Sequence, residues 1–244
     1  MSIENPMATW ARALEHTVQR SIAAWLPQEC FLCATAARDF LCVDCAHSLP
    51  PLDVAVCPIC ALPTPQAAVC GACLQHPPHF DASHALWRYE FPVDALIQAL
   101  KYRHRLASAD FLGRALAHAI ETAAPAIDLI LPMPLAAARL RRRGFNQAVE
   151  LARPVAQHCN KPLELLRILR CRDTPAQVGL SWEERLKNMH GAFESRIDLS
   201  GLSILVIDDV ITSGATLDAL AASLKAHGAI RVENWLIARS LKPL

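Results

Sequence analysis

Hydrophobic positions along this chain follow three different patterns in turn. In residues 7–26, Trp10, Leu14, Val18, Ile22 and Trp25 recur at helical spacing with Arg12, Glu15, Gln19 and Arg20 between them, which predicts an amphipathic helix. Docking of its Trp-bearing face on the rest of the protein is the plain reading, and a membrane-surface or partner helix is the alternative. From residue 28 to 78 the period is lost, and large apolar side chains are too few for an independent core. From residue 80 onward, short apolar runs alternate with longer stretches of helical period. Strands are predicted over 127–131, 203–207 and 232–238, and helices over 92–102, 108–122, 146–159 and 216–227. Pro154 is expected to bend or split the third of these helices. Strands alternating with helices predict an α/β domain built on a parallel sheet.

The chain is 244 residues long and 53% hydrophobic, enough for one α/β core and a smaller appendage. The expected division is an N-terminal helix over 1–27, a small module over 28–79 and the α/β domain over 80–244. A formal net charge of +1 excludes a protein that coats nucleic acid by overall charge. The N-terminal pattern lacks both the unbroken apolar core of a secretory signal and the run of roughly 18 apolar residues needed to span a membrane. A cytoplasmic protein without a membrane span is expected.

Cysteine accounts for the middle stretch. Eight of the ten cysteines form four CxxC pairs: Cys30/Cys33, Cys42/Cys45, Cys57/Cys60 and Cys70/Cys73. A CxxC turn aims two sulfurs at one tetrahedral zinc ion, so two turns complete a site. A disulfide framework is the alternative, and it needs an oxidising compartment. Pairing consecutive turns gives short, similar connections within each site, although a crossed pairing satisfies the same count. Four thiolates leave no open coordination position, so both Zn²⁺ ions are expected to be structural, replacing the missing core. His76 and His79 read as linker residues, with ligation the alternative. Cys159 and Cys171 read as small buried apolar residues.

The segment ILVIDDVITSGAT, Ile204 to Thr216, carries the chemistry of the α/β domain. A buried parallel strand ends at Asp208 and Asp209, where open α/β sheets bind ligands. Thr212, Ser213, Gly214, Ala215 and Thr216 then lead into a helix, with small side chains that let backbone N–H groups close on an anion at the helix N-terminus. Two carboxylates repel a phosphate but accept hydrogen bonds from vicinal hydroxyls, so the pair and the loop together suit a ribose 5-phosphate. The plain alternative is a strand, turn and helix with Asp209 in the turn and Thr216 as a cap. The segment resembles the phosphoribosyl-pyrophosphate signature of type I phosphoribosyltransferases. That resemblance implies a parallel sheet flanked by helices, with Asp208 and Asp209 as catalytic acids on the ribose diol, residues 212 to 216 on the 5'-phosphate, and Mg²⁺ bound with the ligand.

Two further stretches extend the likeness. The strand over 127–131 runs into Pro132-Met133-Pro134 and then RLRRRGFNQAVELA, where Arg139, Arg142 and Arg143 are candidates to grip pyrophosphate. A solvated basic turn is the alternative. The polar run 172–193 is a candidate lid, with Gln177, Arg185, Lys187 and Asn188 as its candidate residues. With the cysteine turns, LKYR at 100–103, RRRGFNQA and NMHGAF, these motifs resemble, in order, the competence-associated ComF family from about Cys30 to the C-terminus. The family implies a role in uptake or use of external DNA. One expectation is a phosphoribosyltransferase that binds phosphoribosyl pyrophosphate and transfers its ribosyl phosphate to a base. The other is a non-catalytic protein that senses a ligand or handles single-stranded DNA, using Lys101, Arg103, His104, Arg105 and the arginines from 139 to 143, with Trp87 and Tyr89 as stacking candidates. A DNA-uptake component is a further candidate partner.

Overall fold

Cysteine turns and buried β-branched strands organise two different kinds of structure. The computed structural model describes residues 28–52, 54–103, 105–171 and 191–241. The helix expected over 7–26 lies outside them. The chain divides into two compact units, residues 1–49 and 50–244.

In the first unit, β1 (Gln28–Glu29) and β2 (Ala36–Ala37) form a short antiparallel ladder, and α1 (Val43–His47) follows. The rings of Phe31 and Phe40 stack at 4.9 Å, the main aromatic contact of this coreless stretch. Cys30 accepts the amide of Ala34 at 2.9 Å, and Ala34 takes a left-handed φ of 59°. The same turn recurs in the second unit, where Cys57 accepts the amide of Ala61 at 2.9 Å and Ala61 has a φ of 58°. The helix α2 (Gly71–Gln75) carries the last cysteine turn.

The rest of the second unit is built on a four-stranded parallel sheet. Its strands are β3 (Ala82–Arg88), β4 (Leu129–Pro132), β7 (Ser203–Ile211) and β8 (Arg231–Arg239), in the order β3-β8-β7-β4. Between them run α3 (Val93–Arg103), α4 (Leu106–Ala123), α5 (Ala137–Arg143), α6 (Gln147–Cys159) and α7 (Ala215–Ala226). The three predicted strands are present. The sequence pattern misses β3, whose residues show no clean apolar alternation and are mostly half-buried. Strand β7 runs four residues beyond its predicted end, because β8 pairs with it as far as Ile211 opposite Arg239. The four predicted helices are also present. Helix α6 continues through Pro154 without splitting. It packs on α4 so closely that a Cβ on Gly113 would lie 2.8 Å from the Leu151 carbonyl oxygen and 2.9 Å from Pro154 Cγ.

Leu112, Leu116, Ile120, Leu151, Val155, Ile130, Ile207 and Ile237 are all buried to 1% exposure or less. At the conventional coefficient of about 25 cal/mol per Å², each such side chain contributes roughly 1.5–3 kcal/mol. A small hairpin of β5 (Ile168–Arg170) and β6 (Phe193–Ser195) brackets residues 172–190, which lie outside the described residues with Gln177, Arg185, Lys187 and Asn188. No described helix is long and apolar enough to cross a membrane.

Candidate functional site

All four sheet strands are parallel, so their carboxyl ends share one edge, and the segments singled out by their residue types meet there. Strand β7 delivers Asp208 and Asp209. Asp209 is only 4% exposed, and its carboxylate forms an ion pair with Lys101 of α3. Its backbone N–H donates to Asp208 Oδ1 at 2.9 Å. Desolvation raises both carboxyls, but for Asp209 the Lys101 ammonium outweighs it and holds the group below the ordinary carboxylate range. Among the described residues, Asp208 has no such partner as close. Desolvation and the neighbouring Asp209 charge push it well above that range. Lys101 is moved up, because Asp209 more than offsets the cost of burial.

After Ile211 the chain turns through Thr212 and Ser213 to Gly214, whose φ of 82° favours glycine, and α7 starts at Ala215. Ser213 Oγ accepts the amide of Ala215 at 3.4 Å, and Thr212 is exposed. The first turn of this helix brings backbone amides and the positive end of its dipole beside the two acids. Asp218, in the same turn, accepts from His79 twice, at 2.6 Å from the backbone N–H and 2.9 Å from ring Nδ1. His79 is therefore fastened to the helix that follows the loop and is not an unattached linker residue.

Strand β4 ends beside β7, where the Met133 amide donates to Ile207 at 2.8 Å. Asn146 secures the next turn: its Nδ2 donates to the Met133 carbonyl at 3.0 Å while its Oδ1 caps α6 at Ala148. Helix α5 lies between them and carries Arg139, Arg142 and Arg143. Arg142 is exposed and Arg139 half-buried. Arg143 bonds Gln147 and lies 5.7 Å from the ring centroid of Tyr102. Arg103 and Arg105 are exposed, and His104 lies outside the described residues.

The cysteines form two clusters, Cys30/Cys33/Cys42/Cys45 and Cys57/Cys60/Cys70/Cys73, with all sulfurs of each within 4.8 Å of one another. This is the consecutive pairing. Cys33 and Cys42 sulfurs are 3.7 Å apart, and those of Cys60 and Cys70 3.6 Å. Zn–S bonds of about 2.3 Å in a tetrahedron require edges of about 3.8 Å, so both clusters fit zinc. In each cluster, backbone amides draw one buried thiol down. Burial raises the Cys30 thiol, yet the amides of Cys42, Cys33 and Leu32 bring it down to about 6. The Cys57 thiol comes down to about 7 by the same balance, with the amides of Cys70, Cys60 and Ile59. Neither His76 nor His79 joins a cluster. Cys159 is half-buried and Cys171 exposed, so neither is the buried apolar residue that was expected. The Cys171 thiol lies 3.4 Å from the Glu194 carboxylate, which helps to hold it protonated after burial has raised it.

Residues 22–74 match the double zinc ribbon domain, and residues 142–240 match the phosphoribosyl transferase domain. The DNA utilization protein YhgH of Salmonella typhi is 32% identical over 225 residues, covering 88% of this chain and 99% of that protein. YhgH of Escherichia coli O157:H7 is 34% identical, covering 87% and 90%. Competence protein F of Haemophilus influenzae is 31% identical over 70% of this chain and 78% of its own. The chain belongs to the ComF family. A glutamine phosphoribosylpyrophosphate amidotransferase from B. subtilis is similar over 52% of this chain and 25% of its own at 20% identity, with a TM-score of 0.37, too loose a likeness to carry any inference. Against the ComF motifs, the structure adds three groups whose roles the sequence pattern did not show: Lys101 in LKYR, Asn146 in GFNQA and the His79–Asp218 pair. The first two lie within motifs already singled out, and only the pairing of distant elements gives them work.

Proposed function

We propose that this protein binds phosphoribosyl pyrophosphate with Mg²⁺ at the carboxyl edge of the sheet. The observation that carries the reading is the unequal acid pair: Asp209 is neutralised by Lys101, which leaves Asp208 to accept from a ribose diol beside the loop 212–216. Thr212 through Thr216 then take the 5'-phosphate, with the α7 amides as donors. Arg139, Arg142 and Arg143 reach for the pyrophosphate, and Gln177, Arg185 and Lys187 close over it. Mg²⁺, a hard cation that keeps oxygen ligands, screens the pyrophosphate charge when bound, and the acid pair offers oxygens of the right kind.

In transfer, the C1–pyrophosphate bond breaks, the pyrophosphate leaves with its electron pair, and a ring nitrogen of a base supplies the new bond to C1. The donors around the loop and the arginines favour the separated charge, and a covered site keeps water from C1. The names of the relatives, for competence and for DNA utilization, support a role for such a site in the uptake or use of external DNA.

Calorimetric titration of the zinc-loaded protein with phosphoribosyl pyrophosphate, with and without Mg²⁺, tests the reading against Asp208→Asn. Metal-dependent binding that the variant loses is the expected outcome. Absence of binding to the wild-type protein would overturn it.

One observation favours a second reading, single-stranded DNA handling. Tyr102 is 69% exposed with Arg143 against its ring, beside the exposed Arg141 and Arg142. An aromatic face with adjoining cations suits a stacked base and its phosphate. Under that reading, Tyr102→Ala weakens binding of a labelled oligonucleotide while Asp208→Asn does not.

A further inference from the structure

Two anions compete for the positive end of α7. One is the ligand phosphate and the other is the protein's own Asp218. The Asp218 amide donates to the Gly214 carbonyl at 2.8 Å, which makes it the first rung of the helix, so the amides of Ala215, Thr216 and Leu217 come before any such rung. The Asp218 side chain stands one turn on and is 4% exposed. A carboxylate in a first turn is drawn to the helix N-terminus, and in a capping box it folds back onto the leading amides. Here its Oδ1 is held instead by His79, through the backbone N–H at 2.6 Å and ring Nδ1 at 2.9 Å. A carboxylate only accepts, so Nδ1 carries the proton. The residues after His79 fix where it stands. Phe80 is buried beside the loop, its Cζ 3.6 Å from where a Cβ on Gly214 would lie. Asp81 accepts from Lys225 in the last turn of α7 at 2.8 Å and from the Val232 amide of β8 at 2.7 Å. The His79 side chain is itself 58% exposed, so it adds little to the core, and its work is the bond to Asp218.

We propose that His79 is a positioning residue for the anion loop: by holding the buried Asp218 carboxylate it keeps that charge off the leading amides of α7 and leaves them to the phosphate. Without the ring donor, one backbone bond remains, and the carboxylate can turn toward the amides of Ala215, Thr216 and Leu217. It then occupies the donors that the ligand needs and repels the incoming phosphate charge. The consequence for ligand binding rests on the phosphate-loop reading, but the hold on the carboxylate does not.

The test uses the full zinc-loaded chain and three variants. His79→Ala removes the ring donor and keeps the backbone one. His79→Asn returns a side-chain donor close to the place of Nδ1. His79→Ala combined with Asp218→Asn removes the charge that the ring would have held. In ¹H–¹⁵N spectra of the ligand-free protein, the amides of residues 215–217 should shift in His79→Ala and lie near their wild-type positions in His79→Asn. Calorimetric titration with phosphoribosyl pyrophosphate and Mg²⁺ should be roughly 10-fold weaker in His79→Ala, the scale of one hydrogen bond to a charged group. His79→Asn should keep most of the wild-type affinity, and adding Asp218→Asn to His79→Ala should recover most of the loss. That recovery separates positioning from a merely structural role, under which a second change at the same contact makes matters worse. If His79→Ala does not fold, His79→Phe serves, since it keeps a ring without a donor, and the same shifts and the same recovery are expected. Amides 215–217 that stay in place, or a double variant that binds no better than the single one, would overturn the proposal. Should the amide shifts appear as expected while phosphoribosyl pyrophosphate fails to bind wild-type protein, the proposed ligand is wrong and the hold of His79 on Asp218 stands.

Discussion

Asp208 and Asp209 are adjacent in the chain and opposite in proton demand. Asp209 sits below the ordinary carboxylate range when folded, so its contribution to stability is present above that range and is lost as pH falls. Asp208 sits above it, so folding favours its protonated form, and stability is lost as pH rises through the folded value. Asp208→Asn should therefore stabilise the ligand-free protein at neutral pH. Asp209→Asn should destabilise it, because the half-buried Lys101 ammonium loses its ion pair. Thermal unfolding of the two variants separates these opposite signs. The same logic reaches the ligand. If binding requires Asp208 ionised, it releases a proton, so affinity should rise with pH up to the folded value of Asp208. Titrations in two buffers of different ionisation enthalpy would detect that proton.

Helices and turns set the next scale. Exposed glycine in a helix is normally improved by alanine, by roughly 0.8–1 kcal/mol. At Gly113 the sign should reverse, because the added Cβ meets the backbone of α6. Gly113→Ala is expected to cost about 1–3 kcal/mol as overpacking, read from denaturant unfolding. Gly214 presents a different constraint: space for a Cβ exists, with Phe80 no nearer than 3.6 Å, but the φ of 82° strains any other residue. Gly214→Ala should cost about 1–2 kcal/mol and also disturb the N-terminus of α7, seen as weaker binding of phosphoribosyl pyrophosphate in calorimetry. The two Ala-bearing cysteine turns, at Ala34 and Ala61, accept the same left-handed strain, which the metal–thiolate bonds offset.

At the scale of the molecule, the second cysteine cluster belongs to the same compact unit as the parallel sheet, and Cys57 within it is fully buried. Its metal is therefore part of that unit's stability. Cys57→Ser should lower the unfolding midpoint of the sheet domain by several degrees or more, since for a unit of this size about 1 kcal/mol corresponds to roughly 2–4 °C. Calorimetric scans of zinc-loaded wild type and variant at equal protein concentration would measure it.

Local chemistry in the sequence was enough to reveal the zinc clusters, three of the four sheet strands, four of the helices and the acid pair with its small-residue loop. Each depends on spacing along the chain: CxxC turns, apolar periods, and small residues between a strand and a helix. Strand β3 escaped because its residues are half-buried and give no clean alternation. Asp209 with Lys101, His79 with Asp218 and Asn146 with Met133 could not be read in advance, for a common reason. Each joins residues on separate elements, and burial alone makes their charges and hydrogen bonds find one another. Tertiary structure thus decided which acid pairs with Lys101 and what fastens the helix that follows the loop.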